Sequence, residues 1–161
     1  MIGSGRSGNA GMGMAGLGLR YRPIPHMGIE ADVDFAGGRD YYGFRRSETA
    51  LSFNGLLFVN PQNKLQLYFL GGFGFSGAHA VDDRSQFNRT EYHYGYFGLT
   101  IGAGVELRLS KVIALNLDVR GFVRGRIDDD ADRSYEFTDR NGRGTNASGG
   151  GLVQGGLTFY W

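Results

Sequence analysis

The sequence predicts an all-β protein made of antiparallel strands, because apolar residues recur at every second position along most of the chain. The segment 27–35 is the clearest case, with apolar residues at the odd positions and glycine or an acidic residue between them. The i, i+3, i+4 spacing of an amphipathic helix never persists for more than about two turns. Short turns and long polar loops also alternate along the chain, as expected of strands that run up and down.

The composition restricts the class of protein. A chain of 161 residues is one domain by length, and 41% hydrophobic and 14% aromatic residues are too many for a disordered segment. The absence of cysteine excludes disulfides and thiolate metal sites. The net charge of +1 gives no overall field that would attract nucleic acid, so we expect no nucleic-acid partner.

The first three predicted strands are separated by clear turn or loop segments. Strand 12–22 has leucine or tyrosine opposite glycine and arginine, and it ends at the two prolines of segment 23–26. Strand 27–35 follows directly. Strand 49–59 has leucine and phenylalanine on one face, and residues 60–64 end it with an Asn-Pro pair.

Four further strands complete the predicted set. Strand 65–77 alternates large apolar residues with polar residues and glycine, and strand 94–109 does the same over a longer stretch. Residues 110–111 form a turn into strand 112–125, whose inner positions carry Asn, Asp and Arg. The last strand ends at residue 161, with Leu157, Phe159 and Trp161 on one face.

The connections predict an orientation. Short turns lie near 23–26, 60–64 and 109–112, and long loops lie near 37–47, 78–92 and 126–148. Outer-membrane barrels combine short periplasmic turns with long outer loops, and their alternating strands escape hydropathy scans. We also expect two interfacial aromatic girdles, formed at the long loops by Tyr41, Tyr42, Phe44, Tyr92, Tyr94 and Tyr96 and at the other end by Phe159, Tyr160 and Trp161.

With the terminal segment Gly156-Leu157-Thr158-Phe159-Tyr160-Trp161 and repeated Gly-x-Gly strand centres, the chain resembles small outer-membrane β-barrels of the OmpA and OmpX type. The resemblance covers about residues 12–161. It implies an antiparallel up-and-down transmembrane barrel of eight strands in the bacterial outer membrane. It also implies contact with membrane lipid and insertion by the barrel assembly machinery, which would recognise the last strand through Leu157, Phe159 and Trp161.

The predicted count of seven strands is one short of the eight that the resemblance implies. We expect the signal peptide and the first ascending strand to be missing from this chain, with the glycine-rich segment 1–11 as the remnant of an outer loop and 12–161 as the barrel domain. The alternative is that residues 1–11 form a short eighth strand.

The inward face of the predicted barrel is strongly charged. An eight-stranded barrel is just wide enough for side chains to fill it, so these charges should pair with each other. We expect pairs between neighbouring strands, such as Glu106 or Arg108 with Asp118 or Arg120. The predicted interior charge network consists of Arg20, Arg22, Glu30, Asp32, Asp34, Glu106, Arg108, Asp118, Arg120 and Arg124.

The function expected from this pattern is that of a non-enzymatic outer-membrane barrel with a structural or surface-interaction role through its outer loops. A narrow pore for ions or small polar solutes is the alternative. A soluble lipocalin-like ligand binder is a further alternative, and it would place the apolar residues inside and the charges outside.

No catalytic, cofactor or metal site is predicted. The two G-x-G-x-x-G matches, at 11–16 and 72–77, do not open helices. Asp128, Asp130 and Asp132 have the first spacings of a calcium loop but lack its glycine and its final glutamate. The three histidines, His26, His79 and His93, are scattered over different predicted loops and strand ends and predict no ligand cluster.

Overall fold

The computed structural model describes residues 2–7, 10–39, 44–82, 90–129, 131, 135, 137–138 and 142–160. These residues contain no helix that is long and apolar enough to cross a membrane. Their strands are β1 (Ile2–Ser7), β2 (Ala10–Ile24), β3 (Met27–Arg39), β4 (Arg45–Phe58), β5 (Leu65–Asp82), β6 (Thr90–Arg108), β7 (Ile113–Arg126), β8 (Phe137–Thr138), β9 (Gly144–Thr145) and β10 (Ala147–Phe159).

Eight of these strands form a closed barrel in the order β1-β10-β7-β6-β5-β4-β3-β2, and every neighbouring pair is antiparallel. Strands β8 and β9 form a separate two-stranded sheet within the longest loop. We call the end that carries residues 59–64 and 109–112 the short-turn end and the opposite end the long-loop end. The barrel is therefore an up-and-down meander of eight strands.

The predicted count of seven strands is wrong, because β1 supplies the eighth. Ile2 lies opposite Gly155 of β10 and Ala15 of β2, so this segment belongs to the barrel wall and not to an outer loop. The residues of β1 show little alternation of apolar and polar side chains, so a period-two pattern did not reveal a strand there. Hydrogen bonding between strands, however, needs only backbone N–H and C=O groups. Two unpaired sheet edges in lipid would cost several kcal/mol for each backbone group without a hydrogen-bond partner. Strand β1 removes this cost for the groups of β2 and β10 to which it hydrogen-bonds.

The closing strand is short. Among the described residues it pairs with 151–155 of β10 and 10–15 of β2. The pairing of β1 thus covers the part of β2 nearer the long-loop end and the middle of β10. The other barrel strands have 13 to 19 residues, against six in β1.

The faces of the wall follow the predicted alternation. Leu17 is 82% exposed and Ile101 is 74% exposed on the outside, whereas Glu106 is fully buried on the inside. The lipocalin-like alternative required the opposite placement, so the structure excludes it. The outer face is an apolar belt of the kind that lipid requires.

Glycines on the inner face make room for large side chains. At Gly104 a Cβ atom would lie 2.6 Å from the Tyr68 Oη atom and 2.6 Å from the Asp118 Cβ atom. Tyr68 is 1% exposed and packs against Phe58, with ring centroids 5.4 Å apart. Gly104 therefore allows a buried aromatic ring to lie against the wall.

Replacing Leu117 with arginine tests which face meets lipid. Leu117 is 54% exposed near the middle of β7, and we expect Leu117→Arg to destabilise the barrel by about 2 to 4 kcal/mol. Guanidinium unfolding in phospholipid vesicles, followed by tryptophan fluorescence, measures this change.

Leu109→Arg is the matched control, because Leu109 is 56% exposed but lies at the short-turn end. Its expected cost is about 0 to 1 kcal/mol. Equal costs for the two variants would contradict the position of the apolar belt.

Candidate functional site

The interior of the barrel contains a network of ion pairs centred on Glu30. Its Oε2 atom accepts a hydrogen bond of 2.9 Å from Arg20 Nε, and its Oε1 atom accepts one of 2.9 Å from Arg120 Nη2. The three side chains are at most 3% exposed. Arg20 lies directly opposite Glu30 on the neighbouring strand, whereas Arg120 comes from β7.

Glu106 on β6 is the second acceptor of the network. Its Oε2 atom accepts hydrogen bonds from Arg20 Nη1 at 2.9 Å and from Tyr160 Oη at 2.6 Å. Arg108 Nε lies 3.0 Å from its Oε1 atom. The single guanidinium of Arg20 therefore joins Glu30 and Glu106.

Two of these contacts cross the full width of the barrel. In the strand order, β2 and β6 are four strands apart in either direction, and so are β3 and β7. The Arg20–Glu106 and Arg120–Glu30 contacts thus join opposite walls. Together they bridge the interior along two different diameters.

Arg120 also contacts two further carboxylates. Its Nε atom donates to Asp118 Oδ1 at 2.7 Å, and its Nη1 atom lies 3.5 Å from Asp32 Oδ2. Asp118 accepts a second hydrogen bond of 2.7 Å from Tyr68 Oη, and Asp32 accepts one of 3.4 Å from Asn54 Nδ2. Each charged group in this layer has a partner, which is the condition for burying it.

The residues expected inside from the sequence all lie on the inner face, but in different layers. Seven of them are buried: Arg20, Glu30, Asp32, Asp34, Glu106, Asp118 and Arg120. The side chains of Arg22, Arg108 and Arg124 lie nearer the two openings. The expected pairing of Glu106 with Asp118 or Arg120 is wrong, because the partners of Glu106 come from β2, from its own strand and from Tyr160.

A basic vestibule lies at the short-turn end. Arg22 donates to Gln66 Oε1 at 2.7 Å, and its guanidinium lies 3.8 Å from the centre of the Phe58 ring. Arg108 lies 3.8 Å from the centre of the Tyr160 ring. The cavity there has a volume of about 670 Å³, and its charged lining consists of Arg22, Lys64, Arg108 and Lys111.

A second charge cluster lies toward the long-loop end, and the sequence analysis identified only Arg124 within it. Glu48 pairs with Arg124 and lies 3.4 Å from Arg46 Nε, while Arg126 Nη2 lies 2.6 Å from Asp128 Oδ1. Arg46 and Glu48 were missed because β4 begins at Arg45, within or next to the segment expected to be a loop. Continuing the alternation of β4 backward from Ala50 would have placed both side chains inside.

The expected aromatic girdle at the long-loop end is wrong for Tyr94 and Tyr96. Tyr96 is 1% exposed and its Oη atom accepts a hydrogen bond of 2.8 Å from Arg46 Nη2. The Arg126 guanidinium lies 4.8 Å from the centre of the Tyr94 ring. The rings of Tyr94 and Tyr96 thus lie among arginine side chains inside the barrel. At the other end, the expected girdle is wrong for Tyr160, whose Oη atom donates a hydrogen bond to Glu106 inside the barrel. Tyr41, Tyr42 and Trp161 lie outside the described residues.

The residues of the expected C-terminal insertion signal are only partly described. Leu157 and Phe159 are both 57% exposed on the outer face of β10, and Trp161 lies outside the described residues. Asp130 and Asp132 of the weak calcium motif are also outside them, and Asp128 pairs with Arg126.

Two histidines on consecutive strands are neighbours in the structure. His79 on β5 lies directly opposite His93 on β6, and Glu91, two residues before His93, lies on the same face. The expectation of scattered histidines is therefore wrong for this pair. The alternation of β5, continued beyond Gly77 into the segment expected to be a loop, is the signal that would have found it.

Replacing Glu30 tests whether the interior network holds the barrel together. Glu30→Gln keeps the shape but leaves the guanidiniums of Arg20 and Arg120 with one anion fewer, so we expect a loss of about 3 to 5 kcal/mol in unfolding free energy. Denaturant titration in vesicles measures it. The control Lys64→Gln removes an exposed turn charge and should cost less than about 1 kcal/mol; similar losses would show that the network is dispensable.

Comparison with known proteins agrees with this architecture. Residues 2–151 match the family described as outer membrane protein beta-barrel domain. The crystal structure of neisserial surface protein A is similar in fold, with a TM-score of 0.63 and 13% sequence identity over 99% of this chain and 92% of that chain. No curated protein matches the sequence. Because the family match covers most of the chain, the protein belongs to the outer membrane protein beta-barrel domain family and is a transmembrane barrel of the bacterial outer membrane.

Proposed function

We propose that this protein is a non-enzymatic, closed barrel that anchors its long-loop end at the cell surface and presents it for interaction. The observation that carries the proposal is the pair of ion contacts that bridge opposite walls, Arg20–Glu106 and Arg120–Glu30. An eight-stranded barrel has little space beyond its own side chains. Two bridges along different diameters occupy space in the lumen at this layer, which supports a barrel closed to solutes.

The depth of burial supports a closed interior. Asp32 and Asp118 are each 1% exposed and Glu106 is fully buried, so water has little access to the carboxylates of this layer. A conducting pore needs charged groups that a hydrated ion can reach and leave. The carboxylates of Asp118 and Glu106 instead accept hydrogen bonds from guanidinium and hydroxyl donors.

The long-loop end supports a role at the surface. A strand crosses the membrane in about 9 to 11 residues, whereas β5 has 18 residues and β6 has 19. All 18 residues of β5 pair with β6, so this hairpin extends well beyond the apolar belt. A paired hairpin presents its side chains in fixed positions, as recognition requires.

Insertion by the barrel assembly machinery is a further part of the proposal. The apolar side chains of Leu157 and Phe159 point outward from the last strand, where a partner could contact them before the barrel closes. This arrangement supports a role of the C-terminal strand as the insertion signal.

Conductance distinguishes a closed barrel from a narrow pore. In planar bilayers we expect the wild-type protein to give no reproducible current steps. The double variant Glu30→Ala, Arg120→Ala removes one bridge between opposite walls, and we expect it to give discrete steps. Lys64→Gln is the control and should behave as the wild type. Wild-type steps as large as those of the double variant would overturn the proposal.

Proteolysis on intact cells tests the orientation. Arg143 is an exposed residue of the longest loop, and Lys64 and Lys111 are exposed in the short turns. We expect trypsin to cleave at Arg143 on whole cells and to leave the two lysine sites intact, as mass spectrometry of the fragments would show. Cleavage at Lys64 or Lys111 without permeabilising the membrane would mean that the barrel is inverted.

A further inference from the structure

The extended part of the β5–β6 hairpin carries a cluster of three possible metal ligands. His79 lies directly opposite His93, and their ring centroids are 4.7 Å apart. Glu91 precedes His93 by two residues and therefore lies on the same face. Its Oε2 atom is 3.4 Å from His79 Nε2, and the three residues offer ligand atoms that all lie within 4.8 Å of one another.

This cluster is separate from the interior network. His79 has the same register parity as Phe75 and Phe73, which are exposed on the apolar belt, so the cluster lies on the outer face of the wall. The side chains of His79 and Glu91 are 36% and 53% exposed. A dissolved ion could therefore reach them from the aqueous side at the long-loop end.

We propose that His79, Glu91 and His93 form a binding site for a divalent transition-metal ion of the zinc class. Two imidazoles and one carboxylate are the ligand types that Zn²⁺ binds, and three protein ligands leave the fourth position to water. Calcium and magnesium prefer oxygen ligands throughout. The chemistry of the cluster therefore favours zinc over these abundant ions.

The distances agree with zinc coordination. Ligand atoms placed tetrahedrally at about 2.0 to 2.2 Å from Zn²⁺ are separated from one another by about 3.3 to 3.6 Å. The His79–Glu91 separation of 3.4 Å already falls in this range, and the whole set lies within 4.8 Å. Side-chain rotation alone, with no change in the strand register, can therefore close the site around an ion.

The hairpin also fixes the ligands in advance. The pairing of β5 with β6 is regular from Leu65–Leu107 to Asp82–Thr90, so the backbone holds the two histidines opposite each other before any ion binds. A site on paired strands needs less ordering on binding than one on a loop. The site is independent of the proposed closed interior, because it shares no residue with it.

Zinc titration of the full-length, refolded protein tests the site. The protein carries no affinity tag, is stripped with a chelator and is studied in detergent micelles by isothermal titration calorimetry with Zn²⁺ as the probe. We expect saturable binding of one ion per chain. Because even changes in groups that only support metal ligands commonly cost 10- to 100-fold in affinity, His79→Gln, His93→Gln and Glu91→Gln should each weaken binding by more than about 10-fold.

His26→Gln is the matched control. His26 lies at the short-turn end and is the only other histidine of the chain, so its replacement should leave zinc affinity unchanged. Circular dichroism and the heat-dependent gel mobility of folded barrels show whether each variant has folded. In parallel, the imidazole NMR signals of His79 and His93 should shift on adding Zn²⁺, while that of His26 should not.

Four results would overturn the proposal. The first is the absence of saturable zinc binding to the folded wild-type protein. The second is binding that the three ligand variants leave unchanged, and the third is an equal loss in His26→Gln. A 100-fold excess of Ca²⁺ that displaces zinc would also contradict it, since the ligand set would then not discriminate as inferred.

Discussion

The hydrocarbon layer offers no hydrogen bonds, and this constraint governs the rest of the structure. Each backbone N–H and C=O group of the wall must be paired with a neighbouring strand, so a sheet in lipid has to close on itself. Closure here depends on Ile2–Ser7, the shortest strand of the barrel, which hydrogen-bonds to both the second and the last strand. A glycine-rich segment can do this because pairing uses the backbone and not the side chains.

Closure produces a second problem, since the inner face becomes a confined space lined by ionised groups. Buried ion pairs are costly to desolvate and do not by themselves stabilise a protein. In this barrel the desolvation cost is offset because the buried arginine side chains at its centre each contact more than one group of opposite charge. Arg120 contacts three carboxylates, and Arg20 joins Glu30 to Glu106. The same contacts that neutralise the interior also join opposite walls of the barrel.

The two ends of the barrel differ in their chemistry. The short-turn end has tight turns and a basic vestibule formed by Arg22, Lys64, Arg108 and Lys111. Toward the long-loop end, tyrosine rings on β6 alternate with arginines from β4 and β7, and the β5–β6 hairpin continues beyond the apolar belt. The side chains at this end are thus held in fixed positions by a regularly paired hairpin.

The alternation and the turn residues of the chain were enough to predict the faces of the strands, the short turns and the location in the outer membrane. These features are local. A period of two decides which side chains point outward, and turn residues such as Asn60-Pro61 or Ser110-Lys111 end a strand whatever its neighbours in the sheet. The alternation also placed Arg20, Glu30, Glu106 and Arg120 on one side of the sheet before any contact between them was known.

Which of those side chains contact each other depends on the closed fold. The partner of Glu106 depends on the number of strands, their tilt and their stagger around the ring, and none of these is encoded in a single segment. The same holds for His79 and His93, whose proximity follows from the register of a long hairpin, and for Tyr96, whose hydrogen bond with Arg46 joins β6 to β4. Alternation is set by neighbours along the chain, whereas contact across a barrel is set by residues that are tens of positions away.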